Sequence, residues 1–220
     1  MKTYQLRELT EAQLLEVISL QEKGTANHSW LDVPEISISS DEQLAIDQIK
    51  ARLSRSKIML MNEATIWARG IYPLLILAER DQIEAWAEVS LNSTFVDVTL
   101  SGTADGALAY VIAGVLRTPY LVTLEAKRSI EAKNPRIQFY GQLLVAAKLK
   151  WEARPDLPVR IFGCYTIGDT WTFARATVDG FDKDTQKPIM TVEMSREYIE
   201  RFEAETILKI LKKIVMSYDG

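Results

Sequence analysis

Apolar positions along the chain keep two rhythms, and the change between them divides it. Near the start they fall at helical spacing. Thr10-Glu11-Ala12-Gln13 has the spacing of a capping box, and Leu14, Val17, Ile18 and Gln21 would share one face of a helix running to about Lys23, where Gly24 stops it. Residues 31–39 hold Pro34 and the alternating stretch Ile36-Ser37-Ile38-Ser39, the pattern of a short strand. Ser40-Asp41-Glu42-Gln43 reads as a second capping box, opening a helix with Leu44, Ile46, Ile49 and Leu53 as its apolar positions. These patterns predict a helical N-terminal extension over residues 1–55 and a main domain over residues 56–220. In the main domain Asn62 serves as an N-cap with Glu63 in the first turn. The helix it starts carries Ile66, Trp67, Ile71, Leu74 and Leu75, and Pro73 is placed to kink it.

From Glu84 the period shortens to two. Residues 86–91 and 95–100 alternate apolar with polar, with Asn92-Ser93 between them as a turn. A third extended stretch covers 104–112. A fourth, 120–126, is apolar and β-branched, as a central strand should be. Helical spacing then returns. Asn134-Pro135 is an N-cap followed by proline at the first helical position, and the helix runs to about Glu152. Residues 159–167 and 170–178 flank Gly168-Asp169, a two-residue hairpin turn. Residues 190–194 read as one more strand, and Ser195 as the cap of a last amphipathic helix with Ile199, Phe202, Ile207, Ile210, Leu211 and Ile214. The order is helix, three strands in meander, central strand, helix, hairpin, helix: a mixed α/β sandwich around one sheet.

Composition narrows the chemistry. The one histidine, His28, excludes mechanisms that need two, including two-histidine zinc sites; in its polar stretch it reads as an exposed loop residue. A hydrolase of this composition would hold its metals by oxygen, which favours Mg²⁺ or Mn²⁺. The one cysteine, Cys164, excludes an internal disulfide and reads as a buried strand residue. The longest apolar run, residues 71–78, is too short to span a bilayer, and the first residues lack the apolar core of a signal peptide. A cytoplasmic protein with no membrane association is expected. The net charge of −4 means that a nucleic-acid site would be a local basic patch helped by bound metal, since bulk charge works against it.

Three stretches carry chemistry. Gly102-Thr103-Ala104-Asp105-Gly106 delivers a carboxylate from an extended segment beside glycine. In 121–128 an apolar strand ends abruptly in Glu125-Ala126-Lys127-Arg128, and strand alternation points Glu125 and Lys127 to one face. On the helix from Pro135, Gln138 and Gln142 lie one turn apart. Two carboxylates can hold a hydrated Mg²⁺ that accepts phosphate oxygens, and a neighbouring lysine can orient the attacking water or stabilise developing charge. The plain alternatives are a turn aspartate for Asp105 and a solvated ion pair for Glu125 and Lys127.

Gly-x-x-Asp, then about twenty residues on an apolar strand ending in Glu-x-Lys, then a glutamine-bearing helix, resembles the PD-(D/E)XK or restriction-endonuclease-like nuclease superfamily over residues 57–175. The resemblance implies a restriction-endonuclease-like core, a mixed central sheet flanked by helices, and Mg²⁺- or Mn²⁺-dependent cleavage of DNA. It makes Asp105, Glu125 and Lys127 the catalytic set. Asp105, Glu125, the Ala126 carbonyl and the helix glutamate Glu63 become the metal ligands. Gln138 matches the helical glutamine of some branches. Where those branches carry tyrosine four residues later this chain has Gln142, and Ala104 stands where proline often precedes the aspartate. Gln138, Gln142, Arg128, Lys133 and Arg136 are the expected nucleic-acid contacts. Lys148, Lys150 and Arg154 would extend the patch or form a solvated helix face. Cutting two strands asks for two sites, which suggests a homodimer. The alternative is a catalytically silent module that keeps the nuclease fold for nucleic-acid binding or assembly.

Overall fold

The computed structural model describes residues 1–55, 57–127, 135–183 and 186–217. Among them eight strands form one mixed sheet: β1 (Lys2–Gln5), β2 (Ser19–Thr25), β3 (Ile83–Phe95), β4 (Val98–Ile112), β5 (Val115–Lys127), β6 (Val159–Ile167), β7 (Thr170–Asp179) and β8 (Ile189–Ile199). The helices are α1 (Glu11–Val17), α2 (Ser40–Ser54), α3 (Glu63–Ile66), α4 (Tyr72–Leu77), α5 (Pro135–Ala153) and α6 (Glu200–Met216). The sheet runs β1-β4-β5-β6-β7-β8-β2, with β3 along the second edge of β4. One core cluster lies between the sheet and α1 and α5; the other lies between the sheet and α2, α3, α4 and α6. The architecture is therefore a mixed α/β sandwich with a central sheet flanked by helices. Among the described residues no helix is long and apolar enough to cross a membrane.

β5, β6, β7 and α5 follow the sequence pattern closely. β6 and β7 pair in register from Val159↔Val178 to Ile167↔Thr170, turning on Gly168-Asp169. β5 and β6 run parallel, Val122↔Phe162 to Lys127↔Ile167, with α5 as the crossover between them. A parallel pair needs such a crossover.

The first half departs from it. Residues 1–55 are not a helical extension. α1 stops at Val17, and the stretch read as its second half is β2, which pairs parallel with β8. β1 pairs parallel with β4, Lys2↔Val98 to Gln5↔Ser101. Both N-terminal strands thus belong to the same sheet as the rest. The second capping box is shifted by one: Ser39 caps α2 and Glu42 reaches back to it. Residues 36–39 form no strand. The hairpin turn expected at Asn92-Ser93 lies at Val96-Asp97, because β3 continues through to Phe95. The strands expected at 95–100 and 104–112 are one long strand, β4. β8 likewise runs on through Ser195 to Ile199. Ser195 caps no helix; its hydroxyl accepts the Phe173 N–H at 2.8 Å within the sheet. His28 is half-buried, stacked on Trp30 with centroids 6.0 Å apart.

Candidate active site at a fork in the sheet

β3 occupies one edge of β4 along most of its length. The other edge is shared. β1 takes Val98–Ser101, and β5 takes the far end, with Gly106↔Leu124 as the last pair of that ladder. Residues 102–105 fall between the two partners, so the sheet forks there: β5 turns from β4 and continues with β6 alone.

Asp105 and Glu125 stand one step past that last pair, on either side of the fork. The Asp105 carboxylate accepts the Ala126 N–H at 2.6 Å, taking over as acceptor where the ladder has ended. Asp105 is half-buried, while Glu125 is fully buried. The Glu125 Oε2 accepts the Nε2–H of Gln142 from α5, and the same amide donates to the Thr103 carbonyl at 3.3 Å. One side-chain amide thus ties the strand after the fork to the strand before it.

The opening beside this fork is lined by Glu63, Ala64, Trp67, Ala87, Glu88, Asp105 and Ala126. Three of the expected ligand positions, Glu63, Asp105 and Ala126, therefore share one cleft, and Glu125 sits beside it on the α5 side. Glu63 arrives because Asn62 caps α3, its Oδ1 accepting the Thr65 N–H at 2.8 Å. The chain then winds as a π-helical turn over Trp67–Ile71, a feature frequent at functional sites. That turn lays Trp67 over Gly106, where a Cβ would come within 2.5 Å of the indole. Any residue but glycine after Asp105 would push the indole out of the cleft wall.

Glu88 was not anticipated. It faces Asp105 across the β3–β4 ladder, is exposed, and adopts φ +53°, which interrupts the pairing at that step. Its sequence signal is only a polar position in an alternating strand. A non-glycine residue at positive φ costs of order 1 kcal/mol or more and tends to cluster at functional sites.

The other expected residues are placed as follows. Gln142 is fully buried, so it contacts Glu125 and Thr103 and offers nothing to a nucleic acid, which corrects that expectation. Gln138 is half-buried one turn earlier. Arg136 is exposed and lies 3.7 Å from Glu22 of β2, the carboxylate that also accepts the Tyr140 hydroxyl at 2.5 Å. Burial, then Glu22, pushes the Tyr140 phenol upward. Arg128, Lys133 and Asn134 lie outside the described residues, as does the Lys127 side chain; the Lys127 backbone closes β5 opposite Ile167. Among the described residues no group of three or more His, Cys, Asp or Glu side chains is arranged to hold a metal ion. The donors at the fork are all oxygen. Asp105, Glu125 and the Ala126 carbonyl suit a hard cation that keeps several of its waters, and do not make a closed cage.

No protein-family model matches the chain, and no curated protein does.

Proposed function

We propose that this protein is a metal-dependent nuclease with a restriction-endonuclease-like core, hydrolysing phosphodiester bonds in DNA. The observation that carries the reading is the fork. It sets Asp105, Glu125 and the Ala126 backbone at the divergence of β4 and β5, with Glu63 across the same cleft.

Asp105 and Glu125 would hold a Mg²⁺ or Mn²⁺ ion with the Ala126 carbonyl, and Glu63 would assist. When bound, the ion supplies positive charge for the phosphate and for the attacking water. Gln142 acts as a positioning residue: by donating to Glu125 it fixes the rotamer of a fully buried carboxylate. Lys127, two residues on, takes the role of orienting the nucleophile or balancing charge on the phosphate. Trp67 and Gly106 form an apolar wall that keeps bulk water from one side of Asp105.

A second reading, a silent module of the same fold used for nucleic-acid binding or assembly, is favoured by the net charge of −4. Incubation of plasmid and single-stranded DNA with Mg²⁺ or Mn²⁺ separates the two. Cutting that needs the metal and disappears in Asp105→Asn and Lys127→Ala supports the nuclease. Intact DNA under all metals, together with no divalent binding by calorimetry, rejects it in favour of the module.

A further inference from the structure

Three residues down the β5–β6 ladder from Glu125, a second opening of about 300 Å³ lies beside β6 and β7, lined from both α5 and α6. Its floor is apolar, from Ile161, Phe162 and Ile214, with Trp30 packed edge-on to Phe162 at 5.6 Å. Its rim is basic. Lys150, Arg160, Arg175 and Lys213 line it, and no acidic side chain does.

Two of these cations are already neutralised. Arg175 pairs with Glu193 at 2.6 Å, and Lys213 with Glu35 at 3.1 Å. The other two, Lys150 and Arg160, stand in no ion pair among the described residues, although Asp156 acts on Lys150 from a greater distance. Lys150 instead donates to the Arg160 carbonyl at 2.9 Å, which holds two like charges at one mouth. Burial, then Arg160 and Arg154, draw the Lys150 ammonium below the ordinary lysine range. Two cations outside any ion pair fit a dianion, and arginine with lysine is a pairing that grips a phosphate. The apolar floor asks for a flat ring, and the volume admits one nucleotide.

We propose that this pocket binds a nucleoside monophosphate, its phosphate on Lys150 and Arg160 and its base over Phe162 and Ile214. The site is separate from the fork. Glu125 pairs with Tyr165 and Val122 with Phe162, so the two lie about 10 Å or more apart along the strands. The inference does not rest on the nuclease reading.

The test is titration calorimetry at low salt in EDTA, with AMP, adenosine and inorganic phosphate as separate probes. AMP should bind saturably, at least about tenfold tighter than adenosine or phosphate. Arg160→Glu, at an exposed position, should weaken AMP by about tenfold or more without moving the melting temperature, and Lys150→Gln should do the same. Glu125→Gln should leave AMP binding unchanged. The proposal is overturned by absence of saturable AMP binding, by phosphate binding as tightly as AMP, or by AMP affinity that survives Arg160→Glu. Loss of AMP binding in Glu125→Gln would move the nucleotide to the fork and overturn it equally.

Discussion

Glu125 and Glu200 are both fully buried, on opposite faces of one sheet, and their surroundings differ. Glu125 lies two residues before the end of β5, beside a residue that lines an open cleft, and receives a primary amide that is itself anchored to Thr103. Glu200 opens α6 beneath the sheet. Its Oε2 accepts the Trp171 indole N–H at 2.8 Å, and its Oε1 finds no hydrogen-bond partner among the described residues. Burial pushes the Glu200 carboxyl up to about 8; the Trp171 bond opposes this and nearby Asp169 adds to it. A helix N-terminus favours an anion by only about 0.3–1 kcal/mol, whereas a rise from 4.5 to about 8 corresponds to something on the order of 5 kcal/mol, so desolvation wins. A buried carboxyl beside an opening is suited to chemistry; one sealed against Trp171 serves as a neutral acid inside the core.

The largest expected difference is in activity. Glu125→Gln should lower metal-dependent DNA cleavage by about 100-fold or more, while Glu200→Gln stays within about twofold of the parent. Equal losses in the two would erase the contrast, and parent-level cutting by Glu125→Gln would remove Glu125 from the proposed chemistry.

Next comes pH. The folded-state pKa of Glu200 is raised above its ordinary 4.5, so the folded chain holds a proton that the unfolded chain gives up. Its contribution to stability is complete below about pH 4.5 and is lost as pH rises through about 8. Urea unfolding between pH 5 and pH 9 should show Glu200→Gln gaining on the parent by a few kcal/mol at the alkaline end. Parallel curves would mean that Glu200 is ionised throughout.

A smaller effect is expected at the amide. Gln142→Leu strips a donor from the buried Glu125, which should cost about 3 kcal/mol in urea unfolding and reduce cleavage as well. Unchanged stability would show that the amide does not hold the carboxylate. Smallest is Gly70→Ala. A Cβ there would lie 2.5 Å from the Glu200 Oε1, and the crowding should cost about 1–2 kcal/mol. The cost should shrink when Glu200 is alanine; a double-mutant cycle with no coupling would say the contact is slack.

Legibility in the sequence tracked how local the cause was. β6, β7 and the turn between them follow from alternation and Gly168-Asp169, which act within a few residues. Asn62 and Glu63 announced α3 through a cap that needs only its own first turn. The N-terminal strands were hidden because β2, Ser-Leu-Gln-Glu-Lys-Gly-Thr, has one apolar residue and becomes a strand only through β8. Ser195 has the composition of a cap, yet pairing of Tyr198 with Trp171 and Ile199 with Thr170 carries β8 past it. At the fork Asp105, read near the start of a strand, lies in the middle of β4, whereas Glu125 could be read from its place near the end of an apolar strand. The partner of Gln142 could not, since it depends on how α5 packs on β5, and nothing in the sequence around Glu88 foretells its positive φ.

β1 and β2 also place a demand on the order of events at the ribosome. Ser19 has its partner at Ile189 and Lys2 at Val98, so both early strands are made long before the strands they join. At about 5–20 residues per second, β2 waits on the order of 10–30 s for β8. The charges and glycine in β2 make it a poor seed for pairing with another chain in that interval. The features that hide β2 in the sequence thus also disfavour its pairing with another chain before β8 emerges.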